Sequence, residues 1–317
     1  MTIHKNVLGL FFDQTWAMRP ESMARYLEVV RGWSIGMTMD KAAVESMMAA
    51  KEERNAGRMK SVNGDIAVLN VFGVIGQRMN MIQEVSDGGT STEKLGQQFD
   101  AAINNDEIGA VVLNIDSPGG SVYGVPELAD KIHKARGTKP IVAVANSMAA
   151  SAAYWIGAAA EQFTVTPSGE AGSIGVFALH QDWSKFNEAV GVQPTYISAG
   201  KYKVEGHPDS PLDPEAKQAI QQSVDGYYGM FVDAVASYRG TTSRRVRAGF
   251  GEGRMLMAGP AVEEGMVDRV ATLETVIREL QGKPRRRKSG QSASQFADVR
   301  RRKLESQRKL TLTTPDK

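Results

Sequence analysis

Cysteine is missing from all 317 residues, which removes disulfide bridges, thiol nucleophiles and cysteine-ligated metals together. Any covalent chemistry must run through oxygen or nitrogen. Histidine is scarce: the four are His4, His133, His180 and His207, and their spacing matches no metal-ligand pattern. Long apolar runs are also missing. The short run at 7–12 ends at Asp13 and Gln14, far below the roughly 20 residues that a bilayer span needs. No small-residue cleavage pattern of a secretory signal follows it. The expectation is a cytoplasmic protein with no membrane span.

What is present fits a folded, soluble chain. A hydrophobic fraction of 42% and a charged fraction of 23% are ordinary for a globular protein, and the length allows one large or two modest domains. The net charge of +2 hides an asymmetry. Residues 283–317 hold twelve of the 38 Lys and Arg but three of the 36 Asp and Glu, so they carry +9 and leave −7 on residues 1–282. Rich in Arg, Lys, Ser and Gln, this tail has too little apolar surface to offset its ordering entropy, and disorder is expected. Its charge makes nucleic acid one possible partner.

Apolar positions at helical spacing, Met23, Tyr26, Leu27 and Val30, and a Met- and Ala-rich stretch at 37–50 predict a helical N-terminal arm over 1–62. The Met cluster reads as core filler or as a partner surface. From 63 to 282 the pattern alternates. Short β-branched runs predict strands at 66–72, 110–115, 141–145, 162–166, 174–179 and 194–197. Helical periodicity predicts helices at 91–104, 123–136, 181–190, 213–238, 243–249, 259–265 and 272–281, with Gly240 and Gly282 as stops. Such alternation implies an α/β fold with a largely parallel sheet buried on both faces. No repeat of fixed period is present.

Three segments carry chemistry. Asp116-Ser117-Pro118-Gly119-Gly120 follows a strand, and its glycines permit positive φ and can aim bare N–H groups into a cleft, as an oxyanion hole requires. The same turn also serves plain strand-to-helix connections. Asn146-Ser147-Met148-Ala149-Ala150-Ser151-Ala152-Ala153-Tyr154-Trp155 places Ser151 among small residues at the start of a helix, where a substrate backbone can approach and the dipole favours an oxyanion. Alone, such a serine is equally a cap or a packing residue. Gly200-Lys201-Tyr202-Lys203-Val204-Glu205-Gly206-His207-Pro208 contains Lys203. A lysine can serve as general base only if desolvation lowers its pKa.

Taken in order, these segments resemble the SppA family of Ser-Lys serine peptidases. The resemblance spans about residues 64–280 and includes Gly172-Ser173-Ile174-Gly175-Val176. It implies a ClpP/crotonase-like fold of repeated β-β-α units. It also implies Ser151 as nucleophile, Lys203 as base, Gly119 and Gly120 as oxyanion hole, Ser173 orienting the amine, Ser117 in support, and no cofactor or metal. Lys203-Val204-Glu205-Gly206-His207-Pro208 is most similar to the head-maturation proteases of lambdoid phages. That branch implies capsid, portal or scaffold proteins as substrates, action in the host cytoplasm or procapsid, and a homo-oligomer whose neighbouring subunits help build the site. The SppA branch would imply signal peptides instead. Ala152-Ala153 departs from the family's usual glycines.

Other readings remain open. His180 follows the strand expected at 174–179 and could form a Ser-His-Asp triad, and Ser147 is a second candidate nucleophile. The same fold class hosts acyl-CoA enzymes that need only the backbone N–H pair. A non-catalytic capsid assembly or scaffolding protein would use the basic tail and the arm alone.

Overall fold

The computed structural model describes residues 15–24, 27, 65–78 and 89–282. Most of the expected helical arm, and the whole expected tail at 283–317, lie outside these residues.

Two sheets organise the described chain. The larger is built from β2 (Ile66–Phe72), β5 (Ala110–Ser117), β7 (Ile141–Ala150), β8 (Gln162–Val165), β9 (Glu170–Gly172), β10 (Met255–Met257) and β11 (Arg269–Val270). Its order is β10-β9-β7-β5-β2, with β8 beside β7 and β11 beside β8; every pairing is parallel except β10 with β9. The smaller sheet has the order β1-β6-β3-β4, from β1 (Trp16–Met18), β3 (Ile75–Gly76), β4 (Thr90–Ser91) and β6 (Gly119–Ser121).

Besides helical residues at 20–24 and 27 and a single 3-10 turn at Gly251–Gly253, the described residues form α1 (Thr92–Asn104), α2 (Val125–Lys134), α3 (Ala152–Ala158), α4 (Ser184–Ala189), α5 (Pro214–Tyr238), α6 (Ser243–Gly249), α7 (Ala258–Glu263) and α8 (Leu273–Gln281). Strands β2 and β5 each feed short strands of the small sheet and then a helix. This gives the expected β-β-α units and the α/β class.

Side-chain alternation explains why the large sheet is covered on both faces. Val111, Leu113 and Ile115 on β5, with Ile141, Ala143 and Ala145 on β7, join the main core beneath α1, α2 and α3. Their neighbours Ala110, Val112, Val142 and Val144 face the opposite way onto Val276 of α8. Helix starts follow the sequence signals: the Ser91, Asp213 and Thr272 side chains accept from the N–H groups of Lys94, Ala216 and Thr275, the bonds expected of N-caps.

Three expectations fail. Residues 174–179 form no strand; β9 takes the place beside β7 and ends where Gly172 at φ 138° and Ser173 at φ 55° turn the chain off the sheet. Phe177 makes only an isolated bridge to Trp16. Residues 194–197 form no strand either, since no sheet edge reaches them, and Ile197 is 97% exposed. Residues 16–18, placed by sequence in a helical arm, are the strand β1, and helix follows only at 20–24. Where the sequence predicts a helix at 181–190, α4 holds 184–189, its start fixed by the Asp182 carboxylate accepting from the Ser184 N–H at 2.9 Å.

Candidate active site

Ser151 sits at the junction of β7 and α3, fully buried, with φ 56° and ψ −117°. Only three non-glycine residues among those described have positive φ: Ser151, Ser173 and Glu252. Such backbone costs of order 1–3 kcal/mol and persists where surrounding structure enforces it, often at reactive sites. The enforcement here is visible. The Ser151 N–H donates to Gly172 O at 2.8 Å, and its carbonyl accepts the Trp155 N–H at 2.9 Å. Helix α3 is buried at every position. Trp155 stacks on Phe231 at 4.4 Å and 5°, and the Tyr154 hydroxyl donates to Met266 O at 2.9 Å. Burial pushes the Tyr154 phenol well above its ordinary pKa, so it stays a neutral donor.

Just before this junction the β5–β7 ladder slips: Ile115 pairs with Ala145, but Ser117 pairs with Ala149. The extra residues on β7 include Asn146 and Ser147, both exposed. Bulges of this kind re-aim a strand next to functional sites. Ser147, the second candidate nucleophile, points from this bulge to solvent and lacks the buried setting of Ser151.

The glycine turn lies against Ser151. Gly119 has φ 94°, and a Cβ built there would stand 3.0 Å from Ser151 Cβ, 3.0 Å from Ala150 O and 2.3 Å from Ala17 O. At Gly120 a Cβ would fall 1.8 Å from Ile75 O. Neither position has room for a side chain. Ser117, fully buried, clamps the turn: its hydroxyl donates to Gly73 O at 2.6 Å and accepts the Gly119 N–H at 3.2 Å. Of the two expected oxyanion donors, Gly119 therefore already spends its N–H on Ser117.

Ser173 is brought beside Ser151 by the β7–β9 register, which pairs Ala150 with Gly172. Its N–H donates to Arg254 O at 2.8 Å, and its hydroxyl has no partner among the described residues. The Ser151 hydroxyl donates to Gly175 O at 3.3 Å.

The structure does not bring Lys203 to Ser151. Lys203 occupies an exposed turn, its N–H bonded to Gly200 O at 3.2 Å, and its ammonium makes no hydrogen bond or ion pair among the described residues. Two residues away, the hydroxyl of Tyr202 and the carboxylate of Glu215 hold the Lys201 ammonium above its ordinary pKa. That direction is opposite to the need of a general base. Nor is His180 set up as a triad member: its Nε2 meets His207 O at 3.3 Å.

Sequence reading missed the strand beside the glycine turn. Trp16, Ala17 and Met18 pair antiparallel with Ser121, Gly120 and Gly119. One signal was available, because Arg19 precedes Pro20 and the residue before a proline favours extended backbone.

The chain is similar to known proteins. The chain is 31% identical to the capsid assembly protease C of Escherichia phage lambda, over 71% of this chain and 50% of that protein. It is 28% identical to the chloroplastic serine protease SPPA of Arabidopsis thaliana, over 78% of this chain and 33% of that one. Thus it spans half the length or less of these relatives. A solved ClpP1 mutant from Listeria monocytogenes aligns over 70% of this chain and 96% of that chain, with 16% identity and a TM-score of 0.39. Residues 133–284, which hold Ser151, Ser173 and Lys203, match the profile of peptidase family S49, and the chain carries a peptidase family S49 domain.

Proposed function

We propose that this chain is a serine endopeptidase in which Ser151 is the nucleophile and Lys203 the general base. The observation that carries this reading is Ser151 itself: a buried serine held at positive φ between a strand and a helix, with a glycine turn packed against it. The neutral Lys203 amine takes the Ser151 proton while Oγ attacks a peptide carbonyl. The carbonyl oxygen becomes an oxyanion, held by the N–H of Gly120 and that of Ala152, whose place in the first turn of α3 leaves it without an intrahelical partner. The C–N bond then breaks, the leaving amine takes the proton from Lys203, and water hydrolyses the ester. Each oxyanion donor is worth roughly 10² to 10³ in rate.

Lys203 needs desolvation that the described residues of one chain do not supply. Exposed apolar side chains precede it in the sequence: Val190, Val192, Tyr196, Ile197 and Tyr202 are 46–97% exposed. A patch of this kind marks an interaction surface. We place a second copy of the chain on it, so that assembly buries the lysine and delivers it to a serine, in the same or a neighbouring subunit. The substrates we propose are capsid or scaffold proteins processed during phage head maturation, in the host cytoplasm or procapsid; the similarity to the lambda capsid assembly protease supports this. The expected tail, 283–317, is proposed to contact an acidic partner.

The test is peptide cleavage by Ser151→Ala and Lys203→Ala, alone and mixed. Each alone should be inactive while folded. Recovery of activity on mixing would place the two groups on different subunits. Full activity of folded Ser151→Ala would end the reading.

A further inference from the structure

Strand β1 lies where a substrate should lie. It is bonded along both edges. On one side Trp16, Ala17 and Met18 run antiparallel to Ser121, Gly120 and Gly119, with the Val122 N–H donating to Thr15 O at 3.2 Å and the Arg19 N–H to Pro118 O at 3.1 Å. On the other side Trp16 and Phe177 exchange both backbone bonds, at 2.8 and 2.9 Å. Antiparallel ladders alternate bonded and non-bonded pairs. With 15/122 and 19/118 bonded, the bonded pair between them is Ala17/Gly120, which directs the Gly120 N–H at the Ala17 carbonyl. That carbonyl also lies beside the nucleophile, since Ala17 O and Ser151 Cβ are 2.3 and 3.0 Å from one point, the Cβ position missing at Gly119.

A peptidase that acts on a peptide bond must hold the chain extended, add it to a sheet edge through backbone bonds, and set the scissile carbonyl between nucleophile and oxyanion donor. Residues 15–19 meet all three conditions. They lie about a hundred residues before β6 in the sequence and are, among the described residues, the sole antiparallel strand beside the parallel run β6-β3-β4. Apolar anchors hold them there: Trp16, Met18, Met23 and Leu27 are buried with Val74, backed by Phe177, Leu179 and Trp183.

We propose that residues 15–19 fill, in cis, the strand site of the peptide substrate, so that the chain as folded here is self-blocked. Substrate enters by displacing β1 and runs antiparallel to β6. The residue whose carbonyl is attacked lies where Ala17 lies, fully enclosed, so a small side chain is selected there. This inference rests on the reading of Ser151 as a peptidase nucleophile, and its test separates the two.

Because the chain contains no cysteine, one engineered pair gives one disulfide. Trp16 and Ser121 face each other in a non-bonded pair, whose Cα separation of about 4.5 Å falls within the disulfide range. The double variant Trp16→Cys/Ser121→Cys is assayed oxidised and reduced, by cleavage of a fluorogenic peptide and by labelling of Ser151 with a peptidyl phosphonate. The oxidised form should react at least about tenfold more slowly, since rate scales with the fraction of open sites. Equal rates in the two forms, with the disulfide confirmed by mass, would overturn the proposal and leave the peptidase reading standing. If neither the reduced form nor the folded wild type reacts, the peptidase reading fails and the inference with it. Should the double variant not fold, hydrogen exchange on the wild type decides: phosphonate occupancy should strip protection from the Trp16 and Phe177 amides. Retained protection at full Ser151 modification would refute displacement.

Discussion

Replacing Ser117 by alanine removes one fully buried hydroxyl that holds two backbone groups, the half-buried Gly73 and the buried Gly119. Gly73 O loses a donor at 2.6 Å and the Gly119 N–H loses an acceptor at 3.2 Å. A buried backbone group left without a partner costs about 1–3 kcal/mol. Partial relaxation of the turn brings the expected total to about 2–4 kcal/mol. With a urea m-value of about 3 kcal/mol/M, the unfolding midpoint should fall by about 1 M. The same loss frees the Gly119-Gly120 turn beside Ser151, so kcat on a peptide should fall by about tenfold to a hundredfold with little change in KM, because the oxyanion bond exists only in the transition state. Ser121→Ala is the control: among the described residues its hydroxyl accepts only the Tyr123 N–H, at 3.3 Å, and its midpoint should move by less than half as much. A Ser117→Ala midpoint within about 0.2 M of wild type, with kcat unchanged, would show that the clamp neither stabilises nor positions the turn.

The remaining expectations concern neighbouring groups. Gly120→Ala should fail to accumulate folded protein, because its Cβ would fall 1.8 Å from Ile75 O; a wild-type melting curve would contradict that packing. Lys201→Ala should retain most peptide cleavage whereas Lys203→Ala loses it, since Lys201 is paired with Glu215 at 3.1 Å; equal losses would remove the distinction. Burial, and then nearby Arg136, hold the His133 pKa below its ordinary value. As pH falls through and below about 6.5 the unfolded chain binds the proton first, so this residue's contribution to stability declines. His133→Phe should narrow the difference in melting temperature between pH 7.5 and 5.5, to be read by circular dichroism. A chain ending at Gly282 should cleave a small peptide at near wild-type rate but lose salt-sensitive binding to acidic partners.

Much of the fold was legible because burial alternates in register with the sequence. The β-branched run at 66–72 and the capped helices after Ser91, Asp213 and Thr272 all fall where the pattern placed them. Strands at 174–179 and 194–197 were misread for one reason: apolar content shows that a segment can pair, not that an edge is free to receive it. At Gly172 and Ser173 the backbone leaves the sheet, which no side-chain pattern encodes. The positive φ of Ser151 and the slip at 146–148 were likewise hidden, since both lie where β7 pairs with distant strands, β5 and β9, which no local side-chain pattern encodes. Strand β1 was read as helix from Met23 and Leu27, which do follow in helical spacing, while its three residues are too few to show a period.

Labelling with a peptidyl phosphonate, followed by mass spectrometry of the digested protein, bears most directly on the nucleophile. The prediction is one adduct per chain, on the peptide at Ser151, absent in Ser151→Ala and formed much more slowly in Lys203→Ala. An adduct on Ser147 or Ser173 instead, or none on folded and assembled protein, would contradict the assignment of Ser151.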